Sequence, residues 1–393
     1  MRPLILLAAA LLPGCGSPEP ARLLADAIRI AATTPHRFAG TATRTVTSSP
    51  GSQPIAVQWE VTGEFQAPYM LVELDTKGMK RRTYGKAGWW VEKWTEMWRA
   101  YPPPQEAIEW LDVAELSGAA YGQEETVNGQ PCRRVDARHP AGQLSFHISR
   151  RDGRILKAVG MVSVGQDAYA FALTFDWSGG KADPPPDALV VLDALAGKRP
   201  EGNDPAAMEL AQKAWAAIPD APLSVSTLQI DFAGGVEQRR RNGFLQQVPP
   251  VRASELAEGQ ARMYVFTDGV RALTAEALGG PTKETGKIPP VSAAEMWKVI
   301  QGAVFQGEVP YRGGNCRLIG VRLQTNDGRP DDSTAAGWLW ISANGRLLRQ
   351  VLVGKMGLPG DGAHELTTYV DLVFTHEPPT GAMIDQALRL FGR

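Results

Sequence analysis

The chain has 393 residues, a length that suits two domains of ordinary size. Hydrophobic residues make up 44% and charged residues 21%, as in folded globular proteins, which excludes disorder over most of the chain. The formal net charge is -1, so composition gives no electrostatic reason to expect a nucleic-acid partner.

The N-terminus has the pattern of a secretion signal that ends at a cysteine. A positively charged start precedes an apolar run over residues 4–12, which is too short to span a bilayer as a helix. The run ends in LPGC, which resembles the lipobox of bacterial lipoproteins; an ordinary signal peptide with an incidental cysteine is the alternative. We therefore expect residues 1–14 to be a signal peptide, Cys15 to carry the lipid anchor, and residues 15–20 to be a tether. Gly16 is not an inner-membrane retention residue, so we expect the outer membrane, facing the periplasm.

Helical and alternating apolar spacings follow in a definite order. An amphipathic helix is predicted over residues 21–33, and a second helix over 105–116, after a run of prolines. Strands are predicted over residues 38–47, 55–65, 69–74, 78–84, and 169–177. In the last of these, Tyr169, Phe171 and Phe175 alternate with small or polar residues, which predicts a sheet with one bulky apolar face.

One hairpin pattern occurs twice. QLSFHISRRDGRILKAVGMV and GWLWISANGRLLRQVLVGKM both contain two apolar runs joined by Asp-Gly or Asn-Gly, pairs that accept positive φ in tight hairpins. Cys132 and Cys316 precede the two copies at similar offsets, and we expect both to be buried, inert thiols. The order of elements around the hairpins also repeats, which predicts a duplicated domain.

The repeat sets the predicted boundaries: a first domain over residues 21–187, a Pro- and Gly-rich linker over 188–204, and a second domain over 205–393. In the second domain we expect a basic turn at residues 239–241 and a helix over 292–303. The run Trp338-Leu339-Trp340-Ile341 is apolar on both faces. Such a strand is expected to be covered by a helix on one side and by apolar groups on the other.

Motifs for catalysis and metal binding do not stand out. The five histidines include no pair at i, i+4 and no CxxC partner, so no zinc site is predicted. The stretch MVSVG lacks the first glycine of a nucleophile elbow, and no glycine-rich phosphate loop opens a helix. The acidic stretch over residues 326–332 does not have the offsets of a calcium loop. We therefore expect no enzyme activity, no catalytic residue, no cofactor and no metal.

The lipobox, the opening helix, the antiparallel strands, the second proline-led helix and the closing DGR or NGR hairpin together resemble the lipoprotein-localisation fold, present twice in tandem. That group includes the LolA and LolB carriers, the mycobacterial lipid-carrying lipoproteins and the sensing domain of RseB-type envelope-stress regulators. The resemblance implies an α+β fold with two tandem domains, each a curved antiparallel sheet, or half-barrel, covered by helices. It also implies an apolar cavity that holds acyl chains.

The expected function is that of an envelope lipoprotein that binds or carries a lipid or another apolar ligand. The alternative is a non-enzymatic sensor or scaffold that binds another envelope protein. The partners expected are an apolar small molecule and the membrane, the latter through lipidated Cys15. The aromatic residues predicted to line the ligand site are Trp59, Trp90, Tyr169, Phe171, Phe175, Trp338 and Trp340.

Overall fold

The computed structural model describes residues 19–46, 55–101, 116–140, 142–164, 167–234, 236–286, 300–323, 333–357 and 365–393. The predicted signal peptide, Cys15 and most of the two helices predicted over 105–116 and 292–303 lie outside these ranges. In the part of the chain that is described, no helix is long and apolar enough to cross a membrane.

The first sheet is an open, antiparallel sheet of twelve described strands. Their bounds are β1 His36–Val46, β2 Ile55–Gln66, β3 Tyr69–Thr76, β4 Met79–Lys86, β5 Trp89–Trp94, β6 Met97–Tyr101, β7 Ser117–Tyr121, β8 Glu125–Val127, β9 Gln130–His139, β10 Gly142–Ser149, β11 Ile155–Val164 and β12 Asp167–Asp176. The order across the sheet is β6-β5-β4-β3-β2-β1-β12-β11-β10-β9-β7, and β8 pairs with β9. Helix α1 (Glu19–Thr33) packs mainly against β7, β10 and β11.

The second sheet contains eleven described strands. Their bounds are β13 Leu223–Ala233, β14 Val236–Val248, β15 Val251–Glu258, β16 Ala261–Thr267, β17 Ala272–Ala275, β18 Lys283–Gly286, β19 Ile300–Tyr311, β20 Gly314–Leu323, β21 Ser333–Ser342, β22 Leu347–Gly357 and β23 Glu365–Thr375. The order is β18-β17-β16-β15-β14-β13-β23-β22-β21-β20-β19. Three described helices accompany it: α2 Pro186–Leu195, α3 Pro205–Ala216 and α4 Ala382–Leu390.

Apart from β8, the described strands of the two sheets have the same connectivity. In each, the first strand lies between the second strand and the last one: β1 between β2 and β12, and β13 between β14 and β23. This shared topology confirms the predicted duplication. The predicted α+β class holds in a coarser form, as two open antiparallel sheets with four helices in the described residues.

Both predicted hairpins are present, and the first turn is one residue longer than the second. Ser149 N donates to Arg154 O at 2.8 Å, and Ser342 N donates to Arg346 O at 2.9 Å. Each hairpin also has an irregular register just before this serine. In each Asp-Gly or Asn-Gly pair only the glycine has positive φ, 72° at Gly153 and 81° in the second copy, so the turns contain one left-handed residue rather than two.

The chain divides into two compact units. The first comprises Met1–Glu92 and Pro103–Pro184, and the second comprises Lys93–Pro102 and Pro185–Arg393. The second unit therefore includes a ten-residue segment from an earlier part of the chain.

Three sequence predictions differ from the structure. Residues 239–241, predicted as a turn, lie within β14, where Arg239 and Arg241 pair with Glu258 of β15 and so stabilise an extended ladder. The first residues of the predicted linker belong to α2, whose apolar side chains are buried. Residues 300–303, predicted as the end of a helix, begin β19, because they pair with β20.

Helix α3 is well determined by its sequence. Asp204 caps it by accepting a hydrogen bond from Ala206 N at 2.9 Å, and Pro205 occupies the first helical position. The face that carries Ala207, Ala211 and Ala214 packs into a core that includes Leu339 and Ile341 of β21. The small alanines let the helix approach the sheet closely.

Candidate functional site

An apolar face, here called the inner face, runs across the first sheet. It is defined by residues that lie directly opposite one another on neighbouring strands: Phe38, Ala42, Val61, Val72, Leu144, Phe146, Ala158, Phe171, Leu173 and Phe175. All ten are buried. The side chains between them on β1 and β12 are exposed or half-buried, as the alternation predicted.

Glycines make room for the large rings of the inner face. A Cβ at Gly63 would lie 2.1 Å from Phe38 Cζ, and a Cβ at Gly160 would lie 2.5 Å from Phe171 Cζ. Real contacts are essentially never this close, so each ring occupies space that a side chain at the glycine would fill. The aromatic layer is therefore packed directly onto the sheet.

The inner face becomes exposed at one end of β2. Val61 is only 3% exposed, whereas Ile55, on the same face, is 60% exposed. Val57 and Trp59, between them, are half-buried. We call Ile55, Val57 and Trp59 the apolar rim. Along β2 the rim continues the buried inner face, and so provides an apolar route from solvent to the aromatic layer. Arg44 of β1 lies beside this route, directly opposite Val57, with its guanidinium carbon 5.7 Å from the centroid of the Tyr169 ring.

The predicted ligand-site residues of the first unit lie on this surface. Tyr169, Phe171 and Phe175 are buried in β12, and Trp59 is on the rim. Trp90, in β5, is also buried, and its ring covers Gly85 of β4. The structure therefore places all five on the one sheet.

A second aromatic group borders Phe175. The His36 ring lies 4.8 Å from the Trp177 ring and stacks on Phe65 at 5.2 Å between centroids. His36 Nδ1 lies 2.8 Å from the Thr34 carbonyl oxygen. Burial lowers the pKa of His36, against the smaller opposing effect of that backbone contact, and so favours the neutral ring.

Two grooves open beside these rings. One, of about 330 Å³, is lined by Phe38 and Phe175 together with polar residues such as Arg37 and Glu64. The other, of about 440 Å³, is lined mainly by polar residues and also includes Phe175. Both are more polar than the inner face, which provides the apolar surface of this unit.

The remaining predicted site residues, Trp338 and Trp340, lie in the second unit on a different kind of surface. Both are buried, on the face of β21 opposite to Leu339 and Ile341. We expected apolar groups to cover this face. Instead, the guanidinium carbon of Arg349 lies 4.9 Å from the centroid of the Trp340 ring. A charged group takes the place of the expected apolar cover because Arg349, directly opposite on β22, points to the same side.

Arg349 is the centre of a buried polar cluster. Its Nη2 lies 2.7 Å from Asp371 Oδ2 with both side chains fully buried, and its Nη1 lies 3.2 Å from Asp187 Oδ2. Tyr369 adds a hydroxyl that donates to Trp98 O at 2.7 Å. No motif in the sequence indicated this cluster. The sequence pattern that could have indicated it is a single arginine, Arg349, and a single aspartate, Asp371, each within a largely apolar strand.

Electrostatics favour the charged forms of Asp187 and Arg349. Burial opposes the charge on Asp187, but the Trp98 indole N–H and the charges of Arg349 and Lys93 outweigh it, so the pKa of Asp187 is below its usual value. Burial likewise opposes the charge on Arg349, and Asp371 outweighs it, so the Arg349 pKa is raised. The Tyr369 pKa is raised, first by burial and then by Asp371, so its hydroxyl keeps its proton.

The two remaining cysteines, Cys132 and Cys316, are buried and unpaired with each other. Burial raises the pKa of both thiols, which agrees with the predicted inert character. Within the described residues, no group of three or more His, Cys, Asp or Glu side chains is placed to hold a metal ion.

Three of the solved structures that match this chain each span slightly less than half of it. LprF from Mycobacterium bovis has 11% identity and a TM-score of 0.30 and covers 46% of this chain and 98% of that one. The lipoprotein LppX from Mycobacterium tuberculosis has 11% identity and a TM-score of 0.28, over 42% of this chain and 100% of that one. A LolA superfamily protein from Nitrosomonas europaea has 9% identity and a TM-score of 0.24, over 44% and 97%.

These matches agree with the lipoprotein-localisation fold that the sequence resembles. Their TM-scores are too low to support a conclusion about function. No protein-family model and no curated protein sequence matches this chain. The residues of this chain are therefore the basis for its proposed function.

Proposed function

We propose that this protein is an envelope lipoprotein whose first unit binds an apolar ligand, an acyl chain or a molecule of similar shape, on the inner face. The observation that carries the proposal is the continuity between the buried aromatic layer and the apolar rim. Val61 is 3% and Ile55 60% exposed on the same face of one strand. A soluble surface rarely leaves such a continuous apolar strip uncovered without a binding role.

The energetics favour an acyl chain. Each methylene removed from water contributes about 0.8 kcal/mol, so even a chain that is partly buried along the rim gains several kcal/mol. Trp59, Tyr169, Phe171 and Phe175 are the proposed contacts. Trp90, on β5, and Trp338 and Trp340, on β21, lie on other strands than the rim and the aromatic residues of β12, and contribute structure in this proposal.

The proposal includes the anchor and the domain arrangement that the sequence predicts. Cys15 carries the lipid that tethers the protein to the membrane, and two domains, over residues 21–187 and 205–393, follow the tether. The expected location is the outer membrane, facing the periplasm. The protein acts by binding and not by catalysis.

The first experiment is mass spectrometry of the protein purified in mild detergent, which should find a co-purified lipid. The second measures binding of a fluorescent fatty acid to three proteins: wild type, Ile55→Glu and Met161→Glu. Met161 is the matched control because it is 63% exposed, similar to Ile55 at 60%, and lies on the opposite face of the same sheet.

Loss of one isoleucine contact removes about 1.5 kcal/mol, so Ile55→Glu should weaken binding about tenfold. Met161→Glu should bind as wild type does. Absence of lipid from the purified protein together with no fatty-acid binding would overturn the proposal, as would equal effects of the two variants.

A further inference from the structure

The second unit holds one segment, Lys93–Pro102, that comes from far away in the sequence. We call it the docked segment. Trp98 is its centre and is 3% exposed, and Met97 and Ala100 beside it are also buried. By contrast, Trp94 of the same segment is 42% exposed. The segment comprises the end of β5 and all of β6, the edge strand that pairs with β5. It is buried around Trp98, its anchor, and exposed at Trp94.

Trp98 is recognised through its backbone and its side chain together. Its backbone N–H donates to Asp371 Oδ2 at 2.9 Å, and its indole N–H donates to Asp187 Oδ2 at 2.7 Å. Its carbonyl oxygen accepts from the Tyr369 hydroxyl at 2.7 Å. Recognition of both backbone groups and one side chain is the way in which peptide-binding sites read an extended segment.

The charges show that the site is incomplete without the segment. Arg349 supplies one positive charge between two buried carboxylates, Asp187 and Asp371. The Lys93 ammonium, 3.1 Å from Asp187 Oδ2, supplies the second. If the segment left, a buried excess of negative charge would remain, with several hydrogen-bond partners lost. The site therefore fits a ligand that brings a cation, an indole N–H and a free backbone N–H.

A further contact fixes the direction of the segment. Arg312 of the β19–β20 turn donates from Nε to Glu96 Oε2 at 2.5 Å and from Nη1 to the Phe374 carbonyl oxygen at 2.9 Å. Glu96 thus lies beside a positive group, whereas Lys93 lies beside a negative one. A segment with the pattern Lys-x-x-Glu-x-Trp therefore fits the site in one direction, with its lysine at Asp187 and its glutamate at Arg312.

We propose that the second unit is a receptor site for an extended, tryptophan-bearing protein segment of this pattern, and that the docked segment fills it in cis. A partner protein with an extended segment of the same Lys-x-x-Glu-x-Trp pattern replaces the docked segment at this site. The replacement is the event by which the partner is sensed. This inference is independent of lipid binding by the first unit. It identifies the surface that a sensor of another envelope protein, the alternative function, would use.

The test uses the full chain and labelled peptides. The Trp98→Ala chain, in which the cis segment lacks its anchor, is mixed with a fluorescent peptide of residues 93–102, and binding is followed by anisotropy. Three peptides are compared: the natural one, one with Trp98→Ala and one with Trp94→Ala. Trp94 is the matched control because it is the same residue type in the same segment but is exposed.

We expect saturable one-to-one binding of the natural and the Trp94→Ala peptides to the Trp98→Ala chain. The wild-type chain and the Trp94→Ala chain should bind the natural peptide at least about tenfold more weakly, because the cis segment competes. The Trp98→Ala peptide should not bind. A folded Trp98→Ala chain that binds no peptide, or that binds all three alike, would overturn the proposal.

Circular dichroism establishes whether the Trp98→Ala chain folds. If it does not, the chain with Lys93→Ala and Glu96→Ala provides a second test, since it weakens the ends of the docked segment and keeps the indole. This chain should bind the natural peptide more tightly than wild type does. Equal binding by the two chains would contradict the proposal.

Discussion

Arg349 and Asp371 form an ion pair, 2.7 Å between Nη2 and Oδ2, in which neither side chain has any solvent exposure. The Arg349 guanidinium also lies over two aromatic rings, with its carbon 4.9 Å from the Trp340 centroid and 5.9 Å from the Tyr311 centroid. A buried charge is tolerated only with an opposite charge and satisfied hydrogen bonds. The pair therefore makes the packing of this part of the second unit specific.

The first prediction concerns removal of one member of this pair. Arg349→Met should lower the free energy of unfolding by about 3 to 5 kcal/mol, because it leaves Asp371 buried without its counter-ion. The measurement is urea denaturation followed by circular dichroism. Arg346→Met, at an exposed position three residues away, is the control and should change stability by less than about 0.5 kcal/mol. Similar losses in the two variants would contradict the role given to the pair.

The second prediction concerns pH and Asp187. Its pKa in the folded protein is below the ordinary value of 3.8, so its charge stabilises the fold fully at pH values above the ordinary pKa. That contribution is lost as pH falls through the lowered pKa. We therefore expect wild type to be more stable than Asp187→Asn near neutral pH, and the difference to shrink in acid below about pH 4. Denaturation curves at several pH values test this. A constant difference across the acid range would be the contrary result.

The third prediction concerns His36, whose pKa is lowered from 6.5 chiefly by burial. A buried neutral histidine favours the fold above the ordinary pKa, and this stability is lost as pH falls from about 6.5 toward the lowered value. His36→Phe keeps a ring against Trp177 and removes the titrating group. The variant should lose less stability than wild type between pH 7.5 and 5.5.

His147 shifts in the same direction, also through burial, so the wild-type curve contains both contributions. The informative quantity is therefore the difference between wild type and His36→Phe at each pH. Its slope should not exceed about 1.4 kcal/mol per pH unit for one proton. Parallel pH profiles would show that His36 does not titrate as its surroundings indicate.

The fourth prediction concerns the second hairpin. Gly345 has φ of 81° with no heavy atom within 4 Å of an added Cβ, so Gly345→Ala meets backbone strain but no collision. We expect a loss of about 1 to 2 kcal/mol in unfolding free energy. Gly354→Ala is the matched control, since Gly354 also has open space and its φ is not positive. It should be neutral or slightly stabilising. Thermal unfolding of both variants distinguishes strain from general glycine replacement.

Much of the first sheet could be predicted because its information is local. The alternation of Tyr169, Phe171 and Phe175 with small residues indicated a buried face, and that face is buried. The Asp-Gly and Asn-Gly pairs indicated two hairpins, and both are present. Alternation and turn chemistry depend on neighbours a few residues apart, so a sequence contains them directly.

The polar cluster of the second unit could not be predicted in the same way. Trp98 contacts Asp187, 89 residues away, and Asp371, 273 residues away. Trp340 appeared as an apolar residue in an apolar strand, and its contact with Arg349 became apparent only from the register of β21 against β22. Local periodicity contains no information about which distant side chains share one buried space.

Short-range patterns of residue type were sufficient to predict the duplication, the alternating strands and the two hairpins, because each depends on residues close together in the sequence. Which apolar face remains open at Ile55, and which is closed by the Arg349 cluster, became apparent only in the folded chain. The assignment of residues 93–102 to the second unit also became apparent only there. The physical reason is that burial and charge pairing are properties of the whole packed chain, in which residues far apart in sequence share one environment of low polarity.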